Sequence, residues 1–424
     1  MSDPLHTESK LSQDGGGGDP AASTGALAAA AARADGRLDA STADGTAASL
    51  PTAGVRREVA PWRRTVYVVS PSRKHRLTVS DVLAGRYTVR VFWETSLMIL
   101  ATMKRRPDII ILDEAAVRSG AEAALNRLME HPTLQTVPLL GLAQAPRSAF
   151  TALLRARAIP FLTRDVRPDD LLSLVSDMIS DGVERNWITI EPVQRKALTD
   201  SVAMFRTVSR LVVAGETIPY NHVRESCASL VTAVSNRNVF SLLSSVKGHD
   251  NYSYVHSVRV ATFLSHFGYE LGLRGEELYT LTAGGLLHDI GKSAIPHHVL
   301  NKPGRLTEGE WATMRTHVDE GLAIIDRVDN VPRGVVTIAA QHHERLDGSG
   351  YPRGLKGADL NDLARLAAIV DVFGALTDQR TYKAPLPADR ALAIMRDMTG
   401  HLDMGLVRLF QDMLMSTDTL LDTG

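Results

Sequence analysis

The chain of 424 residues has a single cysteine, Cys227. One cysteine excludes an intrachain disulfide and fits a reducing compartment. It sits in the helical pattern ESCASLVTAV and reads as a small core residue rather than a nucleophile. Long apolar runs are also missing: none approaches the roughly 20 residues needed to span a bilayer. The first residues, MSDPLHTESK, have neither a basic segment nor an apolar core, so no secretory signal is expected. Charge of one sign is not in excess, with a formal net charge of -1. That balance gives no reason to expect nucleic acid or a membrane surface as partner. Together these absences predict a cytoplasmic protein without membrane insertion.

What is present divides along the chain. Residues 1–60 are mostly Gly, Ala, Ser, Thr and Asp, including Gly15 to Gly18. They hold too little apolar mass to offset the entropy of ordering, so a disordered tail is expected. From 61 to 182, short apolar runs at 66–70, 87–93, 109–112, 137–142 and 159–162 alternate with helical-length stretches at 72–84, 95–105, 119–131, 146–156 and 168–181. This alternation predicts a parallel sheet wrapped by helices, with function at the carboxyl ends of the strands. Beyond it the strands cease. Residues 183–247 read as joining helices, 248–415 as a compact all-helical domain, and 416–424 as a tail.

The region 61–182 resembles the receiver domain of two-component response regulators, which implies a flavodoxin-like α/β fold. In PDIIILDEA, Asp113 occupies the position at which that family accepts a phosphoryl group. The companions differ. Ser70 and Pro71 replace the acidic pair that holds magnesium, Ala143 the hydroxyl residue, and Arg164 the lysine. A lone carboxylate is a poor magnesium site, and phosphoryl transfer then lacks its charge stabilisation. The expectation is a degenerate receiver that serves contacts or dimerisation, with Asp113 capping a loop or helix.

In the helical half, the run LLHDIGK ends an apolar stretch in His288, Asp289 and Lys292. His317 lies at a junction of two helical stretches, and His342 and His343 follow another apolar run. Asp371 sits inside a helix that is apolar nearly all round, and His256 on a further apolar helix. A buried carboxylate in such a helix needs a cation. Any one of these histidines alone reads as a satisfied core residue; five, joined by two interior carboxylates, point to metal. His297 and His298 read as loop residues. Mixed nitrogen and oxygen donors suit first-row metals such as Fe, Mn or Zn, and seven ligands suit two ions rather than one.

The ordered series HDIGK, NKPGRLTEGEW, HHERLDGSGYP and ALTDQRTYK resembles the HD-GYP family, a branch of the HD phosphohydrolases. The resemblance runs from about residue 195 to 415. It implies hydrolysis of cyclic di-GMP to linear pGpG and often GMP, with two divalent ions, Fe or Mn foremost. Carried over, one ion falls to His256, His288, Asp289 and Asp371. The second falls to Asp289 as bridge with His317, His342 and His343. Lys292 then touches the scissile phosphate or protonates the leaving oxygen, beside Asp289 in the catalytic pair. Arg380 and Lys383 match substrate contacts, and either also reads as a solvated surface charge. Gly348, Gly350, Tyr351 and Pro352 form the loop linked to substrate and to diguanylate cyclase domains. Tyr351 could stack on a guanine or on a partner.

Two positions depart from the pattern. Tyr252 stands where some relatives place a glutamate for a third metal, and Gly374 where relatives carry a second Asp. The second departure keeps another reading open: a catalytically weak cyclic di-GMP sensor or scaffold.

Overall fold

The computed structural model describes residues 63–117, 121–236, 239–302, 304–379 and 384–416. The tail expected at 1–60 lies outside the described residues, as do Arg380, Lys383 and residues 417–424. Five parallel strands, β1 (Thr65–Val69), β2 (Thr88–Phe92), β3 (Ile109–Asp113), β4 (Leu139–Ala143) and β5 (Phe161–Thr163), lie in the order β2-β1-β3-β4-β5. Helices α1 (Arg73–Ala84), α2 (Thr95–Thr102), α3 (Ala121–Glu130) and α4 (Ala149–Ala156) connect them. A longer helix, α5 (Pro168–Asn186), follows, so the domain boundary expected at 182 falls inside a helix.

The period of two along each strand divides the core. Val66, Val68, Ile109, Ile111, Leu140 and Leu142 pack with Val79 and Leu83 of α1 and with Leu171 and Val175 of α5. Tyr67, Val69, Ile110 and Leu112 turn the other way, onto Met98, Leu125, Phe150 and Leu154. Both faces are covered, which is why β1 and β3 are continuous apolar runs rather than alternating ones.

The rest is helical: α6 (Pro192–Ala214), α7 (Tyr220–Ser235), α8 (Val239–Val246), α9 (Tyr252–Glu270), α10 (Gly275–Leu287), α11 (His297–Leu300), α12 (Glu308–Arg315), α13 (His317–Ile325), α14 (Arg333–Gln341), α15 (Asp362–Thr377), α16 (Ala388–Arg396) and α17 (Met404–Ser416). Helix α9 is buried on nearly every face. Its Val258 and Ala261 enter one core, while Val260, Phe263 and Phe267 enter a second with α15 and α17. A helix apolar all round belongs inside. Cys227 is fully buried in the first core, and burial pushes its thiol well above the ordinary range. His297 and His298 begin α11 rather than lying in a loop.

The sheet unit grips the approach to α9. Tyr87 Oη donates to Asp250 Oδ2 at 2.6 Å, and the Arg86 guanidinium lies 3.1 Å from the same carboxylate. Arg64 donates to the Gly248 carbonyl, and Asp250 N donates to Ser180 Oγ of α5 at 3.2 Å. Asn251 then caps α9 by accepting from Tyr254 N at 3.1 Å. No helix among the described residues is long and apolar enough to cross a membrane.

Candidate metal centre

Each ligand candidate arrives from a helix or a helix end. His256 lies one turn into α9. His288 is the C-cap of α10, its N–H closing the last turn on the Gly284 carbonyl at 2.8 Å. The chain then tightens into a 3-10 turn, Ile290–Ala294, with Asp289 at its start. Gly291 lets this turn approach α13: a Cβ there would sit 1.9 Å from the His317 carbonyl oxygen, so any larger residue would push Asp289 away from His317. His317 opens α13, His342 caps α14, and Asp371 projects from the middle of α15.

These side chains converge. Asp289 Oδ1 lies 3.3 Å from His317 Nε2 and 3.8 Å from His342 Nε2. Asp289 Oδ2 lies 3.5 Å from His256 Nε2 and 3.2 Å from His288 Nε2. Asp371 Oδ1 is 2.9 Å from His256 Nε2 and 3.8 Å from His288 Nε2, and Asp371 Oδ2 is 3.8 Å from His343 Nδ1. Two groups with metal-holding spacing result, one of Asp289, His317, His342 and His343, the other of His256, His288 and Asp289. Asp289 belongs to both.

The donor atoms fit a metal. His288, His317 and His342 each place Nδ1 on a main-chain carbonyl, of Gly285 at 2.9 Å, Met314 at 2.7 Å and Ala339 at 2.9 Å. That contact fixes the tautomer and leaves Nε2 as the donor. The three Nε2 atoms and Asp289 Oδ1 are buried and make no hydrogen bond among the described residues. Buried polar atoms left so are costly unless something binds them. His256 differs: its Nδ1 meets a carboxylate, Asp378 Oδ2, at 2.7 Å.

The charges follow from burial and neighbours. Burial works against charge on His288, but Asp289 and Asp371 outweigh it and push its pKa up to about 10. His256 is raised despite burial, by Asp371 and Asp378. Burial and neighbouring imidazoles hold His342 down to about 3 and His343 well below its ordinary range. Burial also lowers His317. Asp289 and Asp371 stay far below the carboxylate range despite burial, because cations face them. The downward shifts at His317, His342 and His343 favour the neutral imidazoles that a metal ion needs.

Lys292 donates to Asp289 Oδ2 and is partly buried. The glycine-rich loop closes the side of the centre nearest His343. Gly350 is obligatory there, since a Cβ would come within 2.5 Å of Arg345 N and Glu344 Cα. Glu344, fully buried, accepts from Arg353 N at 2.7 Å and Leu355 N at 3.0 Å and so sets the loop's path. The Tyr351 ring stacks on His343, with centroids 4.7 Å apart, and the Arg315 guanidinium lies 5.2 Å from the Tyr351 centroid. Pro352 is exposed. Glu344, Arg315 and Asp378 were not among the candidates visible in the sequence. The signal for Asp378 was available, as a carboxylate directly following the apolar helix in ALTD.

At the end of β3, Asp113 is 1% exposed. It accepts from Ser70 Oγ and Ala115 N at 2.7 and 2.8 Å, and from His75 and Arg164. It does bind the start of the following 3-10 turn, as expected of a cap, but it also meets His75 of α1 and the Arg164 guanidinium just past β5.

Residues 241–406 match the family model described as HD domain. The chain is 35% identical over 223 residues to a cyclic di-GMP phosphodiesterase of Pseudomonas aeruginosa, covering 52% of this chain and 54% of that protein. It is 40% identical over 160 residues to 3'3'-cGAMP-specific phosphodiesterase 1 of Vibrio cholerae, covering 37% of each. The cyclic di-GMP phosphodiesterase response regulator RpfG of Xanthomonas campestris is 30% identical over 300 residues, covering 70% of this chain and 72% of that one. The chain thus spans about half of the Pseudomonas relative and just over a third of the Vibrio one. The likeness to RpfG reaches across most of both proteins and the HD-domain match contains all seven converging ligands, so the chain belongs to the HD-GYP family of HD-domain proteins.

Proposed function

We propose that this protein is a metal-dependent phosphodiesterase that hydrolyses cyclic di-GMP to linear pGpG, with GMP as the product of any second cleavage. The observation that carries the reading is the pair of ligand groups sharing Asp289. Their spacing supports two ions, one on His256, His288 and Asp289 with Asp371 beside them, the other on Asp289, His317, His342 and His343, and the mixed nitrogen and oxygen donors favour Fe or Mn. When bound, such a pair makes a nucleophile at neutral pH and takes up charge on the phosphoryl oxygens. The chain's own residues do the rest. Lys292, which donates to Asp289, would donate to a phosphate or leaving oxygen. Tyr351 holds His343 by stacking, so its first task is to fix a ligand rather than to bind guanine. Gly350, Tyr351 and Pro352 form the wall a substrate meets, and Arg380 and Lys383 are the proposed contacts to its phosphates or bases.

The strand order β2-β1-β3-β4-β5 is that of flavodoxin-like folds and supports the receiver-like reading of the first unit. Asp113, already bonded to His75 and Arg164, supports a receiver that has given up phosphoryl transfer and serves contacts within a homodimer. Diguanylate cyclase domains are the partners proposed for the glycine-rich loop.

Purified protein loaded with Mn²⁺, or with Fe²⁺ under anaerobic conditions, should convert cyclic di-GMP to linear product, and Asp289→Ala should abolish it. Binding without turnover would favour the sensor reading. The Vibrio relatives named for 3'3'-cGAMP make that dinucleotide a second substrate to test in parallel.

A further inference from the structure

We infer that Asp378 is a positioning residue for His256 and fills the role left open by Gly374. This rests on the two-ion reading above. Asp378 immediately follows α15, and its side chain is 1% exposed. Its Oδ2 lies 2.7 Å from His256 Nδ1, while the opposite ring atom, Nε2, faces Asp371 and Asp289. The other oxygen, Oδ1, is held by Arg259, three residues beyond His256 on α9. Arg259 also donates to Thr377 Oγ1 at 3.2 Å. The carboxylate is therefore itself oriented, and it ties α9 to the end of α15 at the level of the ligand.

Position 374 looks at the same ring. A Cβ on Gly374 would stand 3.3 Å from His256 Cε1 and 3.5 Å from Nδ1. Residues 374 and 378 are one helical turn apart, and the Asp378 N–H closes on the Gly374 carbonyl at 2.7 Å. A carboxylate can thus reach His256 Nδ1 from either position, and this chain uses the later one. With Nδ1–H donated to Asp378, the ring presents Nε2 as an electron-rich ligand. His288, His317 and His342 rely on neutral carbonyls for the same purpose, so His256 is set apart as the charge-backed imidazole.

The test is metal binding by the full chain, read by chelator competition with Mn²⁺ and by elemental analysis. Wild type should hold two ions per chain. Asp378→Ala should weaken one of them about 10–100-fold and leave the other in place, the usual effect of losing such a partner. Asp378→Asn, nearly isosteric, should give a smaller loss on the same ion and decides the matter if the alanine variant does not fold. Adding Gly374→Asp to Asp378→Ala should restore the weakened ion. Unchanged binding of both ions in both single variants would overturn the inference. So would equal loss of both ions, unrelieved by Gly374→Asp. A wild-type chain that binds no Mn²⁺ would instead remove the two-ion reading itself.

Discussion

Asp289 Oδ1 faces His317 Nε2 at 3.3 Å while Asp289 Oδ2 faces His256 Nε2 at 3.5 Å, so one carboxylate touches both halves of the ligand cluster. Replacing a shared ligand should damage both sites together. Asp289→Ala is expected to reduce bound Mn²⁺ from about two ions per chain to well under one. Elemental analysis after gel filtration checks this. Retention of one full equivalent would mean that the two groups are independent.

Chelation should also cost stability. An ion that binds only the folded chain contributes about 2.7 kcal/mol when present at 100 times its Kd. For a domain of this size that corresponds to a fall in Tm of roughly 5–10 °C on treatment with EDTA. Scanning calorimetry with and without chelator measures it, and identical curves would count against an ion in the core.

The acid side of the stability profile belongs partly to Asp113. Burial alone would raise its pKa, but bonds from His75, Arg164, Ser70 and Ala115 hold it well below its ordinary 3.8. A depressed native value means that the unfolded chain takes up the proton first. The stabilisation is therefore complete above pH 3.8 and lost as pH falls below it toward the native value. Asp113→Asn should be less stable than wild type at neutral pH, by about 2–4 kcal/mol, with the gap narrowing under acid. Urea melts at several pH values test this. Incubation with acetyl phosphate should leave the mass of the wild-type chain unchanged.

The bond between Tyr87 and Asp250 gives a graded test of the seam. Burial and the Asp250 charge push the Tyr87 phenol above its ordinary range, so it remains a donor across the usual pH scale. Tyr87→Phe should cost about 1 kcal/mol, the worth of one hydrogen bond. Asp250→Ala, which also strips Arg86 of its carboxylate, should cost about 1–3 kcal/mol more. Denaturant midpoints of the two variants, compared with wild type, check the order.

The sheet was readable because β1 and β3 are buried on both faces and so appear as unbroken apolar runs. Helix ends were less so: α2 stops at Thr102 rather than 105, and α5 runs on to Asn186, since its polar residues near 182 suit a helix as well as a linker. All seven ligand candidates could be picked out, because polar side chains inside apolar helices, such as His256 and Asp371, or at the ends of apolar runs, such as His288 and His342, are conspicuous in one dimension. Asp378 and Glu344 were harder. Their partners, His256 Nδ1 and the N–H groups of Arg353 and Leu355, become visible only when separate segments meet in space. Gly374 read as a loss for the same reason, since the sequence does not say which side chain one turn away can reach the same ring.

The negative charge of Asp113 is balanced by Arg164, which is part of the polypeptide, while His75 and Ser70 occupy the other oxygen. Electroneutrality at that strand end therefore does not depend on dissolved ions. The sheet unit should keep the same shape whether magnesium is plentiful or scarce, leaving the helical half as the part of the molecule that answers to inorganic supply.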